Sequence, residues 1–289
     1  MKTIIITGTK GFIGSNLKKE LESDFKIIEI NEDIFKNVSW RDEVSKHFWL
    51  DISGVFHVGA CSNTLEKDVN YMMLVNYEFT KHLTDLCNLK GIPMIYSSSA
   101  ANYGTNNLYP SNLYGWSKYT AEQYVIQNGG IALRYFNVYG PGEEHKGKMA
   151  SMAYQMYNAG SAKLFPGEPK RDFVYVDDVV SANIFAWDNY VFLSGGKYDV
   201  GFGKAHTFEY IADTMGIPYT YHDESAIPKG YQFYTCSNHF DWLPGWVPKY
   251  SLKRGLFLCR MYWQKQHTSQ ENGQCSSEDG NLGTKDIAG

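Results

Sequence analysis

The sequence is poor in cysteine and has no long hydrophobic run. Its five cysteines, in a chain of 289 residues, are scattered and include no Cys-x-x-Cys pair, so neither a disulfide framework nor a zinc site is predicted. The apolar run Ile4–Ile6 is too short for the core of a signal peptide, and no later stretch reaches the roughly 18 apolar residues of a membrane helix. We therefore expect a cytoplasmic protein with reduced thiols, no metal and no membrane partner.

The chain also lacks an excess of charge of either sign. Lys and Arg number 27 against 31 Asp and Glu, giving a formal net charge of -4, and charged residues make up 20% of the chain. This balance excludes a strongly basic nucleic-acid-binding protein and a disordered polyelectrolyte. Because 43% of the residues are hydrophobic, one large domain, or one domain with a smaller appendage, is expected.

Short apolar runs alternate with longer amphipathic stretches in the first half of the chain. The runs at 3–7, 26–30, 54–60, 93–97 and 130–136 have the character of buried strands, and helical spacing dominates between them. This alternation predicts an α/β fold: a doubly wound (Rossmann) parallel sheet, followed by a smaller C-terminal region. Only about ten residues separate the second strand from the next helix near Trp40, so the strand usual there is either vestigial or merged with the second.

A glycine-rich turn follows the first predicted strand and opens the first predicted helix. Gly8, Gly11 and Gly14 have GxxGxxG spacing, which permits a tight turn, close approach of the backbone to a pyrophosphate, and close packing of helix on strand. The helix N-terminus adds unpaired N–H groups and a partial positive charge. The sequence therefore predicts a site for a dinucleotide cofactor.

The end of the second predicted strand is expected to contact the adenosine ribose of that cofactor. A carboxylate there would favour NAD, since it accepts a hydrogen bond from the 2′-hydroxyl and repels a 2′-phosphate. The candidates are Asn31, Glu32 and Asp33, and the first of them is neutral. We take NADP as the expected cofactor and keep NAD open.

Three residues with catalytic potential follow. Ser99 ends the strand that begins at Pro93, and Tyr114 and Lys118 come 15 and 19 residues later with the i,i+4 spacing of one helical face. A free tyrosine, with a pKa of about 10, is a poor base, but a nearby ammonium and an oxidised nicotinamide both favour its phenolate. Ser99 can hold an alcohol while Tyr114 takes its proton.

Together these motifs resemble the extended short-chain dehydrogenase/reductases that act on nucleotide-sugars, over roughly residues 3 to 260. Several stretches are most similar to the ADP-glyceromanno-heptose 6-epimerases of that family: HVGACS at 57–62, RYFNVYGP at 134–141, KRDFVYV at 170–176 and, most specifically, HKG-x-MAS at 145–151. The resemblance implies a nucleotide-sugar epimerase that forms a homo-oligomer, with a nucleotide-sugar as its partner. It places the NAD(P)-binding domain at residues 1–140, with returns from later segments, and the substrate-binding region at 141–263. The polar segment 264–289 is expected to be a disordered tail.

The same resemblance assigns roles to single residues. Ser99, Tyr114 and Lys118 would be the catalytic triad, and Lys146 a second acid/base on the opposite side of the substrate. The cofactor would be bound by the three glycines and by Phe12, Ile13, Asn31, Val58, Gly59, Ala60, Cys61, Ser62, Asn76, Tyr114, Lys118, Val138 and Lys146. The substrate would be bound by Ser99, Asn137, Lys148, Gln155, Phe165, Pro166, Gly167, Glu168, Arg171 and Tyr231.

Four positions depart from the family pattern. Val58, Gly142, Lys148 and Gln155 stand where family members usually carry an acidic residue, Arg, Ser and His. The departures crowd the substrate side and leave the triad intact. The reaction class is therefore better defined by the sequence than the sugar is.

Four other functions of this fold place different demands on the residues around the triad. A nucleotide-sugar 4,6-dehydratase needs an Asp-Glu pair directly after the active-site Ser or Thr, where this chain has Ala100 and Ala101. A UDP-sugar 4-epimerase needs only the triad and a different sugar pocket, so it stays open. A regulatory NAD(P)-binding protein without activity would characteristically have lost Tyr114 or Lys118, and an alcohol dehydrogenase would release its reduced cofactor into solution.

Overall fold

The computed structural model describes residues 1–105, 108–229 and 231–278. The strands are β1 (Lys2–Thr7), β2 (Phe25–Ile30), β3 (Ile52–His57), β4 (Met94–Ser99), β5 (Ile131–Tyr135), β6 (Asn137–Tyr139), β7 (Ala162–Leu164), β8 (Lys170–Tyr175), β9 (Lys197–Val200), β10 (Ala205–Thr207), β11 (Tyr219–Tyr221) and β12 (Tyr234–Thr235). The helices are α1 (Phe12–Leu21), α2 (Trp40–His47), α3 (Val69–Met73), α4 (Phe79–Lys90), α5 (Leu113–Gln127), α6 (Met152–Ala159), α7 (Val176–Asp188), α8 (Tyr190–Leu193), α9 (Phe208–Met215) and α10 (Leu252–Glu278).

Six parallel strands form the central sheet, in the order β2-β1-β3-β4-β5-β9. Helices cover both faces because the strands are apolar on both sides. Ile4 and Ile6 of β1 face a core built with α1 and α7, whereas Ile5 faces the opposite core, built with α2, α4 and α5. The predicted doubly wound parallel sheet is thereby confirmed.

The short connection after β2 contains no additional strand. Between Ile30 and Trp40 the described chain forms one 3-10 turn, Glu32–Lys36, and α2 then leads directly into β3. Within the described residues, β2 is therefore the edge strand of the sheet. The aromatic ring of Phe35 in this turn packs on Trp40 of α2 and Phe79 of α4, which holds the connection against these two helices.

Smaller sheets and three helices form the second half of the molecule. β8 lies between β10 and β12 and also pairs with β6, while β7 pairs with β11. Helices α6, α9 and α10 pack on this region, around a core that includes Met156, Phe173, Ile211 and Leu256. After β8 the chain returns to the central sheet, where β9 pairs with β5. The segments of the two halves are therefore interleaved along the chain.

The C-terminal helix extends farther than the sequence predicts. Its first turns bury Leu252, Leu256, Cys259 and Trp263 in the third core, and the helix then continues to Glu278. Once such packing has formed a helix, adding further turns costs little. The structure describes residues 264–278 as part of this helix, where the sequence predicts a disordered tail, and residues 279–289 lie outside the described residues. Among the helices of the described ranges, none combines the length and apolar character that crossing a bilayer requires.

A fully buried histidine fastens the strand ends at the carboxyl edge of the sheet. His57, the last residue of β3, shares hydrogen bonds with the hydroxyl of Thr7 at 2.8 Å and with that of Thr80 at 2.7 Å. The Thr7 hydroxyl also accepts a hydrogen bond from the backbone N–H of Gly59. Burial and, to a smaller extent, the nearby positive charge of Lys118 lower the pKa of His57 to about 3, so the imidazole is neutral in the folded protein.

This histidine should make the folded state sensitive to acid. Because the pKa is lower in the folded than in the unfolded chain, where it is about 6.5, its stabilisation is present above pH 6.5 and is lost as the pH falls towards 3. The loss should not exceed about 1.4 kcal/mol per pH unit. Urea unfolding at several pH values measures the free energy of unfolding. Below pH 6.5 this free energy should fall less steeply for His57→Gln than for the native chain.

The matched control is His239→Gln, because His239 is exposed. That variant should retain the native dependence of unfolding free energy on pH. An equally steep decline in His57→Gln and in the native chain would show that His57 does not cause the sensitivity.

Candidate cofactor and active site

The glycine-rich turn joins β1 to α1 with no room for side chains. Gly8 has a φ of +71°, and a Cβ there would lie 2.5 Å from the Cα of Gly59. A Cβ on Gly14 would lie 2.1 Å from the carbonyl oxygen of Gly8. Gly11 occupies the N-cap of α1 without a side-chain cap, so no side chain competes for the first N–H groups of the helix. This is the form of turn that cradles a pyrophosphate.

A cleft of about 550 Å³ opens beside this turn, a size typical of small-molecule and cofactor sites. The structure brings most of the predicted cofactor residues to its walls: Gly8, Gly11, Phe12, Ile13, Gly14, Asn31, Val58, Gly59, Ala60, Ser62, Tyr114, Lys118 and Lys146. Lining residues that the sequence did not assign to the cofactor include Thr7, Lys10, Phe35, Ser98, Tyr135 and His145. The close glycine turn, the uncapped helix and the cleft together fit a dinucleotide.

Three of the predicted cofactor residues do not line the cleft: Cys61, Asn76 and Val138. Val138 packs on the first core. Asn76 is buried in a π-helical turn, Leu74–Glu78, and holds both the N–H and the carbonyl of Cys61, at 2.8 and 3.1 Å. Its amide also donates to the Ser117 hydroxyl at 2.9 Å. Asn76 thus connects the segment after β3 to α5, and no signal in the sequence distinguished this bracing role from direct binding.

The end of β2 is acidic where it meets the cleft. The side chain of Asn31 is hydrogen-bonded to the glycine-rich turn. Its carbonyl oxygen accepts from the N–H of Lys10 at 3.1 Å, and its amide donates to the Thr9 hydroxyl at 3.0 Å. Glu32 and Asp33 also line the cleft. Glu32 accepts a hydrogen bond from the Tyr71 hydroxyl, and Asp33 lies 3.6 Å from the ammonium of Lys10.

Ser99, Tyr114 and Lys118 come together at the carboxyl edge of β4. Asn112 caps α5 by accepting from the N–H of Gly115 at 2.8 Å, which sets the start of the helix that carries the other two residues. Burial raises the pKa of Tyr114, and a hydrogen bond with Ser99 lowers it. Burial also lowers the pKa of Lys118 to about 7, with its ammonium 4.4 Å from the centre of the Tyr96 ring.

Lys146 reaches the same cleft from the second half of the chain. It belongs to the 3-10 turn Glu144–Met149, and its ammonium lies 5.3 Å from the centre of the Phe12 ring. Burial lowers its pKa, against the opposing effect of the Glu143 carboxylate. That carboxylate is buried and accepts from the N–H of Gly140 and the hydroxyl of Ser151, at 3.1 and 2.8 Å, so it fixes both ends of the segment that carries Lys146.

Part of the predicted substrate set forms a separate cluster outside the cleft. The Phe165 and Tyr231 rings are 5.2 Å apart, and the Arg171 guanidinium lies 5.4 Å from the Tyr231 ring and donates to the carbonyl of Gln232. Pro166, Gly167 and Glu168 form the turn that follows Phe165, with positive φ at Gly167 and Glu168.

The other predicted substrate residues are not drawn into this cluster. Asn137 and Lys148 are exposed. Gln155 donates its amide to the carbonyls of Ala150 and Lys148, at 2.7 and 3.2 Å, and so supports the Lys146 segment. The substrate side is therefore less fully assembled than the cofactor side.

The family model of the NAD dependent epimerase/dehydratase family matches residues 4–201. The chain belongs to this family, which confirms the resemblance seen in the sequence and the expectation of a nicotinamide cofactor.

Similarity to solved structures extends over most of the chain. The ADP-L-glycero-D-manno-heptose-6-epimerase of Helicobacter pylori is 28% identical with a TM-score of 0.76, and the match covers 90% of this chain and 96% of that one. A UDP-N-acetylglucosamine 4-epimerase of Methanobrevibacter ruminantium, solved with UDP-N-acetylmuramic acid, is 25% identical with a TM-score of 0.77, covering 92% and 99%. The UDP-glucose 4-epimerase of Thermotoga maritima, at 24% identity and a TM-score of 0.79, covers 91% and 99% and shares the fold.

The glycine turn gives a direct test of the cofactor cleft. Gly8→Ala should weaken NAD binding about tenfold to a hundredfold, because the added methyl group meets the backbone at Gly59 and the backbone is strained at positive φ. Isothermal titration with NAD measures the change.

Gly91→Ala is the matched control, since Gly91 has a φ of +64° and open space around its Cβ position. It should lose about 1 kcal/mol of stability and bind NAD as the native chain does. Native affinity in Gly8→Ala would mean that the cofactor does not approach this turn.

Proposed function

We propose that this protein is a nucleotide-sugar epimerase with bound NAD, and that its substrate is ADP-D-glycero-D-manno-heptose, inverted at C6. The observation that carries the proposal is the meeting of two proton-transfer sets at one cleft. Tyr114 and Lys118 of α5 line the cleft together with Lys146, which enters it from the second half of the chain. Ser99, at the end of β4, does not line the cleft but is hydrogen-bonded to Tyr114.

The first set holds and ionises a sugar hydroxyl. The Ser99 hydroxyl orients the sugar oxygen, and the Tyr114 phenolate takes its proton. The ammonium of Lys118, one helical turn from Tyr114, stabilises that phenolate in a site where burial otherwise raises the tyrosine pKa. A bound nicotinamide would accept the hydride from the same carbon and later return it.

Epimerisation needs a second proton donor for the other orientation of the keto sugar. Lys146 fits this role because burial lowers its pKa, which makes the ammonium a better acid than an exposed lysine. The carboxylate of Glu143 holds the turn that carries it. Elimination chemistry has no comparable support, since Ala100 and Ala101 follow Ser99.

The identity of the sugar rests on the HKG-x-MAS stretch and on the 28% identity to the Helicobacter pylori heptose epimerase. Arg171 offers a guanidinium fork suited to diphosphate oxygens, beside the aromatic rings of Phe165 and Tyr231. A UDP-sugar 4-epimerase is the second candidate, favoured by the 25% identity to the Methanobrevibacter ruminantium enzyme.

The acidic end of β2 supports NAD over the NADP expected from the sequence. Glu32 and Asp33 both line the cleft there, and carboxylates at this position repel a 2′-phosphate. The sequence favoured NADP because Asn31 is uncharged, but the side chain of Asn31 is already hydrogen-bonded to Lys10 and Thr9.

Cofactor preference should follow these two carboxylates. We expect NADP to bind about tenfold more weakly than NAD, the usual scale of a charge repulsion of about 1.4 kcal/mol, and Glu32→Gln/Asp33→Asn to narrow the difference. Titration of both cofactors measures it. Asp24→Asn, an exposed carboxylate at the other end of β2, should leave the ratio unchanged. Tighter binding of NADP by the native chain would refute the NAD assignment.

Two variants should separate the two proton-transfer sets. Tyr114→Phe should lower kcat at least about 100-fold, because it removes the acid/base group of the first step. Lys146→Gln should lose inversion but keep the substrate-dependent change in nicotinamide absorbance, because Tyr114 is intact. Stopped-flow absorbance and product analysis by NMR measure both. A nearly normal kcat in Tyr114→Phe would refute the assignment of Tyr114 as the acid/base group.

The substrate is tested by NMR in D2O with ADP-D-glycero-D-manno-heptose, UDP-glucose and UDP-galactose, without added reductant. Conversion of the heptose alone to its C6 epimer, with no deuterium at that carbon, supports the proposed substrate and internal hydride return. Interconversion of the UDP-hexoses alone supports the 4-epimerase. Cofactor binding without turnover of any of the three sugars would contradict both substrate assignments and favour a binding protein.

A further inference from the structure

A buried carboxylate lies on the catalytic helix, beyond the triad. Glu122 follows Lys118 by one turn of α5 and is 0% exposed. Its oxygens accept hydrogen bonds from the Ser98 hydroxyl at 2.6 Å and from the Asn102 amide at 2.9 Å. Buried carboxylates are retained only where such partners and a counter-charge compensate for lost hydration.

The counter-charge comes from the neighbouring strand. Arg134 of β5 donates two hydrogen bonds to Glu122, from Nε at 2.8 Å and from Nη2 at 2.5 Å. The guanidinium also lies 4.7 Å from the centre of the Tyr103 ring, whose hydroxyl donates to Asp199 of β9 at 2.8 Å. The pair is therefore held by Ser98 of β4 and by Asn102 and Tyr103 of the turn that follows β4.

The partners of Glu122 stand on both sides of Ser99. Ser98 precedes Ser99 on β4, and Asn102 lies in the short turn that Ser99 caps by accepting from the N–H of Ala101 at 3.1 Å. Asn102 also donates to Ser98 at 3.0 Å. One carboxylate on α5 thus fixes the backbone on either side of Ser99 to the helix that carries Tyr114 and Lys118.

We infer that Glu122, paired with Arg134, is a positioning residue that sets Ser99 against Tyr114 and Lys118. This inference rests on the proposed function, because it gives the Ser99–Tyr114 hydrogen bond its catalytic purpose. Glu122 touches neither substrate nor cofactor: within the described residues it does not line the cleft, whereas Ser98 does.

Glu122 also acts on the charge of Lys118. The groups that face this lysine are His57 of β3, Tyr96 of β4, and Glu122 of its own helix. Tyr114 precedes it by one turn of the same helix. Burial lowers the pKa of Lys118, and the Glu122 carboxylate opposes that effect. Removing the carboxylate lowers the pKa of Lys118, so that less ammonium is available near neutral pH to stabilise the Tyr114 phenolate.

The test measures Tyr114 ionisation in the NAD-bound protein, without any sugar. Ultraviolet titration of the tyrosinate, with Tyr114→Phe as the reference spectrum, gives the pKa of Tyr114 in the native chain and in Glu122→Gln. We expect that pKa to rise by about one unit or more, because Ser99 and Lys118 both stabilise the phenolate less well. NAD affinity should stay within about twofold, which a general loss of structure would not allow.

A second variant covers the case in which Glu122→Gln does not fold. Ser98→Ala removes the hydrogen bonds that Ser98 makes with Glu122 and Asn102 and leaves the Glu122–Arg134 pair in place, so it should fold and raise the Tyr114 pKa by a smaller amount. The control is Asp178→Asn, a buried carboxylate that accepts from the N–H groups of Lys249 and Tyr250, at 2.8 and 3.0 Å. It should lose stability without changing the Tyr114 pKa.

Activity on the substrate found for the native protein completes the test. Glu122→Gln should lower kcat about tenfold to a hundredfold, the scale of a displaced catalytic group, with little change in KM. An unchanged Tyr114 pKa in folded Glu122→Gln or Ser98→Ala, or a change equal to that in Asp178→Asn, would overturn the inference. Absence of turnover by the native protein, with the Tyr114 pKa shifted as expected in the variants, would overturn the proposed function and leave the positioning role supported.

Discussion

The close approach of two backbone segments at the carboxyl edge of the sheet is the constraint on which the site depends. β1 and β3 are paired in parallel, so the turns that follow them leave the sheet side by side, and Gly8 comes so near Gly59 that a Cβ on Gly8 would lie 2.5 Å from the Cα of Gly59. Thr7 and His57 join the same two strand ends by hydrogen bonds below the turns. The cofactor cleft exists because these turns are held together without side chains between them.

Buried polar groups supply the rigidity at this edge. His57, Lys118 and the Glu122–Arg134 pair are all buried. In the protein interior, each such group would cost several kcal/mol if it were charged and unpaired. Each is paired or held in its uncharged form by its surroundings. The consequence is a site in which the charge on one lysine and the orientation of one serine are set by neighbours on three different strands. Burial disfavours the charged form of a titratable group, and here it shifts the pKa values of the groups that are proposed to transfer protons.

Much of the fold and of the cofactor side follows from local sequence. The apolar runs predicted β1 to β5 of the central sheet but not β9, and the GxxGxxG turn after β1 lies where its spacing predicted. Two features of the structure have no local pattern in the sequence. Residues 264–278 have no apolar period of their own, and their helix is continued from packing at Trp263. Asn76, which the family resemblance assigns to the cofactor, braces Cys61 and Ser117 in the structure.

The sequence by itself determined the parallel sheet, the glycine turn and the identity of the serine, tyrosine and lysine, because these depend on periodicity and on spacing within single elements. Only the tertiary structure decided that Asn31 is hydrogen-bonded to the glycine-rich turn, that Glu32 and Asp33 line the cleft beside it, and that Glu122 brackets Ser99. These relations join residues far apart in the chain. Their hydrogen bonds and burial arise when the strands align at one edge, which no local pattern records.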